Sequence, residues 1–337
     1  MEIWNFAVSS EDAVLQHPLY KKNKKKGRIV ALGYFDGVHK GHQEILRVVA
    51  EEAHKYDLIP AVHSFTTPPV SKKNENKTAP FLLTTEDEKQ KLFEDNGVEE
   101  VFLTPFTESV ENLSAEEFLN LYLGGLFAAK GVVTGEDYRF GKNRAGDVSY
   151  LQKWGAKNGV SVVSVPALEQ NNQMVSSTGI RKLLQWGNVD LANELLGYPV
   201  SYANVVEKGF QIGRTIHFPT ANMRIVPQKM IPCHGVYASM FSVDDRFYPA
   251  ISNIGLRPTM NRDEKSVCLE TMLFDQNIDL YGEQARVFLL DFIRPEMRFD
   301  SVDALSVQMQ KDALEARAYH EKQSAAYSAF FPNCVMI

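Results

Sequence analysis

A short apolar run that stops at a glycine and then passes into a helical pattern constrains the fold of this chain most strongly. Residues 28–32, Arg-Ile-Val-Ala-Leu, predict a strand buried on both faces, and Gly33 ends it. After Gly41, apolar residues recur at helical spacing as far as Ala53. Residues 28 to 55 are therefore predicted to form a strand, a glycine-containing turn and a helix, the opening unit of a parallel α/β sheet.

The same alternation continues through the first half of the chain. Further strands are predicted at 59–65, 98–103, 131–135 and 160–165, with a helix at 84–96 and another after the capping box of Ser114 and Glu117. Ligands of such sheets bind beyond the carboxyl ends of the strands. The turn 33–42 and the loop 135–147 both follow strands, so both are expected on that side.

After about Gly197 the pattern changes to strands without intervening helices. Such strands are predicted at 200–207, 236–243, 246–251, 266–273 and 284–292, separated by glycine, proline and aspartate turns. This half is therefore predicted to be an antiparallel sheet or barrel. A long helix at 301–323 follows, with Val302, Leu305, Met309 and Leu314 expected near one face. The predicted domains are 1–185 and 200–337, joined by a linker at 186–199.

Composition narrows the class of protein. A chain of 337 residues fits two domains, and a net charge of −6 argues against a dedicated nucleic-acid binder. The three cysteines, without a Cys-x-x-Cys pair, suggest neither a disulfide framework nor a zinc site, so reduced thiols in the cytoplasm are expected. Neither a signal peptide nor a membrane-spanning segment is predicted. The sequence does not indicate an oligomeric state.

Two histidines occupy the predicted turn into the first helix, where free N–H groups and the helix dipole favour phosphate. Gly41 lets the backbone approach a phosphate closely, and His39 and His42 can both reach the same phosphate. Fixed donors there would stabilise the charge that develops as the α-phosphate of ATP is attacked. The alternative is a turn with two structural histidines.

A second candidate phosphate site opens the helix predicted near residue 177. Ser176, Ser177 and Thr178 supply hydroxyl groups, and Arg181 follows one turn later with a guanidinium group suited to phosphate oxygens. The alternative is an ordinary helix N-cap. Combined with the two histidines on an α/β sheet, this segment favours a nucleotidyltransferase.

A third group of polar residues lies in the second half. Thr220 and Asn222 offer hard oxygen ligands two residues apart, suited to Mg²⁺ and phosphate, and Glu270 follows in a predicted strand. A carboxylate beside a primary hydroxyl can act as a general base. From residue types alone, a Pro-Thr turn and an isolated surface glutamate remain the simpler interpretation.

Several long motifs, in order, resemble the bacterial bifunctional riboflavin kinase/FMN adenylyltransferase family over about residues 28 to 320. They lie at residues 33–42, 135–141, 144–147, 176–181, 218–222, 235–238, 253–259 and 279–282. The resemblance implies a nucleotidyltransferase domain with a Rossmann-like parallel sheet, followed by an antiparallel β-barrel kinase domain with a long terminal helix. It implies transfer of AMP from ATP to FMN, giving FAD and pyrophosphate, and phosphorylation of riboflavin by ATP with Mg²⁺.

The resemblance also implies a role for each matching residue. The residues expected to contact ATP are Gly33, Phe35, Gly41, Ser176, Ser177 and Thr178. The residues expected to act in catalysis are His39, His42 and Arg181 for adenylyl transfer and Glu270 as the base for the riboflavin 5′-hydroxyl. A loop contacting nucleotide or flavin would contain Asp137, Arg139 and Phe140, unless it is a structural turn. The kinase phosphate loop would contain Gly209, Gly213 and Arg214, and Mg²⁺ would bind Thr220 and Asn222.

Two positions depart from the family pattern. Thr66 stands where the family often has a carboxylate, which leaves flavin or magnesium binding in the first domain open. His217 stands where the family usually has glycine, so the kinase is either unaffected, with His217 in solvent, or weakened. The competing hypotheses are a monofunctional FAD synthase, a nucleotidyltransferase acting on another phosphate substrate, and a flavin-sensing protein without turnover.

Overall fold

The structure is a computed structural model that describes residues 1–6, 10, 26–66, 81–207, 220–258, 265–276, 278–324, 327, 330–331 and 334–335. Its contacts divide the chain into two compact units, Met1–Ser177 and Thr178–Ile337. The predicted boundary at residue 185 and the predicted linker at 186–199 stay predictions about the functional domains.

The first unit is an α/β unit built on a parallel sheet, as predicted. Its strands are β1 (Glu2–Asn5), β2 (Arg28–Leu32), β3 (Ile59–Phe65), β4 (Glu100–Thr104), β5 (Ala129–Gly135) and β6 (Ser161–Val165), followed by the small hairpin of β7 (Glu169–Gln170) and β8 (Gln173–Met174). Its helices are α1 (Lys40–Lys55), α2 (Glu86–Asp95), α3 (Glu108–Glu111), α4 (Ala115–Phe118), which continues as a π-helix over Leu119–Leu126, and α5 (Val148–Asn158).

The order of the strands explains where a ligand would bind. The sheet runs β1-β4-β3-β2-β5-β6, and each pair is parallel. From β2 the chain first adds β3 and β4 on one side, and then crosses to add β5 and β6 on the other. The strand order therefore reverses between β2 and β5, and the crevice beyond their carboxyl ends is the expected ligand site of an open α/β sheet.

Alternation along the strands supplies a core on each face of this sheet. Ile29 and Ala31 of β2 pack with α1 on one face, whereas Val30 and Leu32 pack on the other face with Phe102 and the π-helical segment. Because both faces are covered, the strands read as continuous apolar runs, and this is why they could be predicted from the sequence.

The second unit is an antiparallel sheet with a long terminal helix, again as predicted. It contains the helices α6 (Ser177–Gln185), α7 (Val189–Leu196) and α8 (Val302–Gln323). Its strands are β9 (Ser201–Val205), β10 (Ala221–Arg224), β11 (Gly235–Val243), β12 (Arg246–Pro258), β13 (Lys265–Leu273) and β14 (Gln284–Pro295). They run in the order β10-β13-β12-β11-β14-β9, and an antiparallel bridge between Glu207 and Asn222 links the two ends of the sheet into a near-barrel.

Several details of this unit differ from the sequence prediction. Strand β10 and helix α7 were not predicted. Strand β12 continues beyond Ile251 as far as Pro258, where it pairs with β13, and the buried Ser252 hydroxyl lies 2.7 Å from those of Ser239 and Thr271. On α8, Leu305 and Met309 line a cavity, but Val302 and Leu314 are exposed, at 60% and 69%. The expected single apolar face of α8 was therefore wrong for Val302 and Leu314.

The described part of the chain contains no helix of the length and apolar character needed to cross a membrane.

A buried ion pair stabilises the amino ends of the parallel strands. Arg28 opens β2 and Glu100 opens β4, and the guanidinium Nε and Nη2 donate to the two carboxylate oxygens at 2.5 and 3.2 Å. Nη1 donates to the carbonyl of Phe127 at 3.1 Å, and the group lies over the Phe102 ring. Both side chains are nearly inaccessible to solvent, so each charge depends on the other for its compensation.

Removing one member of this pair should destabilise the first unit strongly. We expect Arg28→Met to lower the free energy of unfolding by about 3–5 kcal/mol, because the Glu100 carboxylate would stay buried without a counter-charge. The double variant Arg28→Met/Glu100→Leu should recover most of this loss. Lys26→Met, which breaks an exposed ion pair with Asp57, is the control and should change little. Urea denaturation measures all three, and a double variant as unstable as Arg28→Met would contradict the explanation.

Candidate active sites

The turn after β2 has an unusual backbone. Phe35, Gly37 and Val38 adopt positive φ angles of 57°, 79° and 34°, and only glycine does so without strain. A Cβ atom on Gly33 would lie 2.9 Å from the ring of Phe35, so this position needs glycine. Strained backbone of this kind persists where the surroundings fix it, and it concentrates at functional sites.

Hydrogen bonds to Asp36 and its neighbours fix this turn. The buried Asp36 carboxylate accepts from the backbone N–H groups of Leu83 at 2.9 Å and Thr84 at 3.3 Å. The N–H of Gly37 donates to the Thr84 hydroxyl at 3.1 Å. The hydroxyl of Ser177 donates to the carbonyl oxygen of Asp36 at 2.9 Å. The turn is thereby tied to the segment before α2 and to the end of the first unit.

The two histidines of the turn form a stacked pair at the start of α1. His39 is the N-cap, and its Nδ1 accepts the backbone N–H of His42 at 3.3 Å. The two rings are nearly parallel, at 14°, with their centroids 3.7 Å apart. Gly41 lies beneath them, where a Cβ would be 3.3 Å from the His39 ring. The prediction that both imidazoles could reach one phosphate is consistent with this geometry.

Burial keeps both imidazoles neutral at pH 7. Burial lowers the pKa of His39 to about 4. Burial also lowers the pKa of His42, and the neighbouring His39 and then Lys89 lower it further. Because Nδ1 of His39 accepts a hydrogen bond, the proton of its neutral ring must be on Nε2. Nδ1 of His42 is buried without a hydrogen-bond partner among the described residues, so its proton is also better placed on Nε2. The pair can therefore offer two Nε2–H donors.

The predicted second phosphate segment falls across the division of the chain. Ser176 and Ser177 close the first unit, where Ser177 contacts the turn through Asp36, as described above. Thr178 and Arg181 follow in α6, in the second unit. Thr178 is exposed and Arg181 is partly buried. Their contribution to the same site stays a prediction.

The loop after β5 gives a mixed result. Asp137 is exposed, and Arg139 is exposed and ion-paired at 3.0 Å with Asp147, the N-cap of α5. Phe140 is buried, stacks on Tyr138 at 5.7 Å and packs against Phe118. Phe140 therefore packs in the core, as the structural interpretation of this loop expected. Ligand contacts of Asp137, Arg139 and Phe140 stay predictions.

The polar residues singled out in the second half do come together. Thr220 precedes β10, and Asn222 Nδ2 donates to its carbonyl at 3.2 Å and contacts its hydroxyl at 3.4 Å. Asn222 and Glu270 are directly opposite each other on the neighbouring strands β10 and β13. Thr220 and Glu270 both line one cavity of about 340 Å³. The predicted Thr220, Asn222 and Glu270 thus form one cluster, and two of them, Thr220 and Glu270, line the cavity.

The sequence analysis gave no role to the other polar groups of this cavity, although Asn253 opens one of the family motifs. Asn253 lies opposite Glu270 on β12, and Arg294 and Asp312 come from β14 and α8. The Arg294 guanidinium binds the buried Asp312 carboxylate at 2.6 to 3.0 Å, and Gln308 donates to the same carboxylate at 2.8 Å. These residues are far apart in the sequence and share no spacing rule. Only the sheet register and the docking of α8 bring them together.

The predicted kinase phosphate loop falls outside the described residues, together with His217. This applies to Gly209, Gly213 and Arg214. The consequence of His217 for the kinase therefore stays open. Thr66 is described, and its backbone N–H donates to the carbonyl of Thr104 at 3.1 Å just beyond the end of β3.

Comparison with known proteins identifies the family. The sequence model described as FAD synthetase matches residues 21–179, and the model described as riboflavin kinase matches residues 196–320. A bifunctional riboflavin kinase/FMN adenylyltransferase from Listeria monocytogenes is 35% identical over 296 residues, which cover 88% of this chain and 93% of that protein. The protein of the same description from Escherichia coli K12 is 36% identical with the same coverage. The chain belongs to the bifunctional riboflavin kinase/FMN adenylyltransferase family.

A solved structure also shares the fold over almost the whole chain. It is described as a macrolide-efflux protein from Streptococcus pneumoniae, and it matches with a TM-score of 0.82 at 32% identity, covering 94% of this chain and 99% of that one. That description concerns the Streptococcus protein, and the match shows that the two chains share a fold. One polar cluster lies in the range matched by the FAD synthetase model and the other in the range matched by the riboflavin kinase model.

A third histidine lies under the turn of the adenylyltransferase unit. His63 of β3 is fully buried, its Nε2 lies 3.1 Å from the Thr104 hydroxyl, and its Nδ1 lacks a partner among the described residues. Its backbone carbonyl accepts the N–H of Gly33 at 3.3 Å. Burial lowers the pKa of His63 to about 3, so it stays neutral in the folded protein over the whole neutral range.

His63 should make the first unit less stable as the pH falls. In the unfolded chain, His63 has a pKa of about 6.5 and binds a proton below that pH. In the folded protein its pKa is about 3, so between pH 6.5 and pH 3 only the unfolded state binds this proton. The folded state therefore loses stability as the pH falls through this range. Each pH unit in that window should cost about 1.4 kcal/mol of unfolding free energy. His63→Leu should remove this contribution. Urea denaturation at about pH 6.5 and pH 5 would contradict the assignment if both proteins lost equal stability.

Proposed function

We propose that this chain makes FAD in two steps, phosphorylating riboflavin to FMN in its second unit and adenylylating FMN in its first. Membership of the family and a match to each family model support both activities. For adenylyl transfer, the observation that carries the proposal is the stacked, neutral histidine pair at the start of α1. For the kinase, it is the meeting of Thr220, Asn222 and Glu270 beside one cavity.

In adenylyl transfer, a phosphate oxygen of FMN forms a bond to the α-phosphorus of ATP while the bond to pyrophosphate breaks. Negative charge grows on the oxygens of the α-phosphate and on the departing pyrophosphate. His39 and His42 donate Nε2–H groups to those oxygens, and because both rings are already fixed, little reorganisation is needed. A protein nucleophile is unnecessary, since positioning and electrostatic stabilisation account for most catalysis of this kind. Ser176, Ser177, Thr178 and Arg181 hold the triphosphate.

In the kinase reaction, the 5′-hydroxyl oxygen of riboflavin attacks the γ-phosphorus of ATP and ADP leaves. Glu270 accepts the hydroxyl proton, and its place at the cavity beside Thr220 puts the base next to the proposed phosphate ligands. The isoalloxazine ring occupies the cavity, whose apolar lining includes Met272, Phe299 and Met309.

The residues around Thr220 fit a magnesium ion. The Thr220 hydroxyl and the Asn222 amide oxygen are hard oxygen donors, and Mg²⁺ in kinases is held by few protein ligands together with substrate phosphates and water. When bound, the ion neutralises charge between the β- and γ-phosphates of ATP. Asn222 Nδ2 donates to Thr220, and the amide oxygen accepts a weak hydrogen bond from the Cys268 thiol at 3.8 Å, so a second lone pair of that oxygen would bind the ion.

The family of the chain suggests its substrates, and its free cysteines suggest its cellular compartment. The substrates are ATP, FMN and riboflavin, and FAD is the final product. Cys233, Cys268 and Cys334 are free thiols, which suits a reducing compartment, and we propose the cytoplasm.

Two incubations test the proposal. Purified protein is mixed with riboflavin, ATP and Mg²⁺ in one, and with FMN, ATP and Mg²⁺ in the other, and flavins are separated by chromatography. We expect FMN and then FAD in the first and FAD with pyrophosphate in the second. FAD only from FMN would establish a monofunctional synthase, and flavin binding without product in either would establish a sensor.

His42 should contribute mainly to the transition state of adenylyl transfer. We expect His42→Ala to lower kcat for FAD formation by about a hundredfold or more, the usual effect of losing one preorganised donor. The KM for FMN should change little. His54→Ala, at the exposed end of the same helix, is the matched control and should behave like the parent. A near-normal kcat for His42→Ala would leave His42 with a structural role only.

Glu270 should be needed for the kinase and not for the synthase. Glu270→Gln keeps the shape of the side chain but cannot accept the proton, so kcat for FMN formation should fall by about 10²–10⁴-fold. FAD formation from FMN should be unchanged, because the histidine pair proposed for that reaction lies in the other unit. Glu283→Gln, at an exposed position before β14, controls for loss of a carboxylate in the same unit. Equal kinase rates in the two variants would remove Glu270 from the role of base.

A further inference from the structure

A buried lysine lies beside the adenylyl-transfer site, and none of the motifs points to it. Lys89 is on α2 and is only 4% exposed. Its backbone N–H donates to Thr85, the N-cap of α2, so Lys89 lies in the second turn of the helix, near its positive dipole end. A cation is unfavourable both in the protein interior and at a helix N-terminus.

Among the described residues, the contacts of the Lys89 ammonium group compensate its charge only partly. It forms an ion pair at 3.1 Å with Glu86, whose side chain is 33% exposed. Its two hydrogen bonds, to the Ser64 hydroxyl and to the carbonyl of Phe65, are long, at 3.4 Å each. It also lies 4.9 Å from the centroid of the Tyr34 ring, a cation–π contact. Helix stability does not explain a cation in this place.

These contacts connect α2 to the phosphate turn. Lys89 donates to the Ser64 hydroxyl, and that hydroxyl in turn donates to the backbone carbonyl of Tyr34 at 2.9 Å. Since a lysine ammonium group can only donate, it fixes the direction of the Ser64 hydroxyl. Lys89 therefore holds the end of β3 and the start of the turn together, through Ser64 on one side and the Tyr34 ring on the other.

The contacts of Lys89 also lead towards His42. The Tyr34 ring that Lys89 contacts is followed in the turn by Phe35, whose ring packs edge-on against the His42 ring at 5.1 Å. Burial lowers the pKa of His42, and the charges that lower it further are His39, from the turn, and Lys89, from α2. Adenylyl transfer brings the FMN phosphate, an anion, against the α-phosphate of ATP, another anion. A fixed positive charge beside their hydrogen-bond donor reduces that repulsion and does not need to move during the reaction.

We propose that Lys89 is a positioning residue for adenylyl transfer, which anchors the turn through Ser64 and Tyr34 and keeps a fixed positive charge beside His42. The proposal rests on the assignment of adenylyl transfer to this turn. Neutral His42 is the working form, because a second proton on its buried Nδ1 would have no acceptor among the described residues and would displace the ring. Protonation of His42 is therefore one contribution to the loss of activity on acidification, and it is the contribution that the Lys89 charge alters.

The test compares three full-length variants. Lys89→Met removes the charge at similar volume, and Glu86→Gln removes its counter-charge while keeping the lysine. Lys91→Met, two residues further along the same helix, removes a lysine that is 66% exposed and is the control. For each protein, kcat and KM for FAD formation from FMN and ATP are measured across the acid and neutral pH range. Riboflavin phosphorylation and the urea midpoint report whether the chain is folded.

We expect Lys89→Met to lower kcat about tenfold or more and to shift the acid limb of the kcat profile to higher pH, because His42 loses a like charge. Glu86→Gln should shift that limb to lower pH, and Lys91→Met should match the parent. A merely structural lysine would not produce opposite shifts in two variants.

Three results would overturn the proposal or the assignment beneath it. A Lys89→Met profile equal to that of Lys91→Met overturns the role of Lys89. If Lys89→Met does not fold, an unshifted acid limb in Glu86→Gln overturns it instead. Absence of FAD with the parent protein would overturn the assignment of adenylyl transfer itself, which keeps the two failures distinct.

Discussion

The carboxylate of Asp36 is the group on which the first active site depends. Residues at positive φ, such as Phe35 and Val38, cost about 1–3 kcal/mol each and persist only where the surroundings over-determine them. Hydrogen bonds to a charged acceptor contribute about 1.5–3 kcal/mol, so the N–H groups of Leu83 and Thr84 donating to Asp36 can offset that strain. The strained turn in turn sets the position of His39 at the start of α1. The strand, the turn and the helix therefore hold one another in place, and together they position the histidine pair proposed for catalysis.

The two units build their active sites in different ways. In the parallel sheet, functional residues lie in loops beyond the carboxyl ends of strands, so a contiguous stretch of sequence carries most of the site. In the antiparallel sheet, functional residues lie on the strands themselves. Asn222, Glu270 and Asn253 become neighbours through the register of β10, β13 and β12, although Asn222 and Glu270 are 48 positions apart in the sequence. A motif therefore identifies the first site more readily than the second.

This difference also explains how far the sequence could predict the structure. The helix after Gly41 and the buried parallel strands were predicted, because their hydrophobic patterns are local. Strands β1 and β10, the short hairpin β7–β8 and helices α3, α5 and α7 were not predicted. The strands and α3 are brief, and α7 follows Gly187 inside a segment expected to be a linker. Lys89 and the Arg294–Asp312 pair were missed because nothing in their local sequence distinguishes them from ordinary surface charges. Their importance depends on burial, and only tertiary packing determines burial.

Buried cations in this protein differ in how completely they are compensated, and the difference separates structural from functional charges. Arg28 donates to both oxygens of Glu100 and to a backbone carbonyl at the amino ends of the strands, far from any ligand edge of the sheet. Arg294 is similarly matched by Asp312. Among the described residues, Lys89, at the carboxyl edge, has one short ion pair and two long hydrogen bonds. A fully matched charge projects little field beyond its partner, whereas a partly matched one retains a field that an anionic substrate can feel. In the role proposed for Lys89, this incomplete compensation is what leaves its charge available to a reaction at the neighbouring turn.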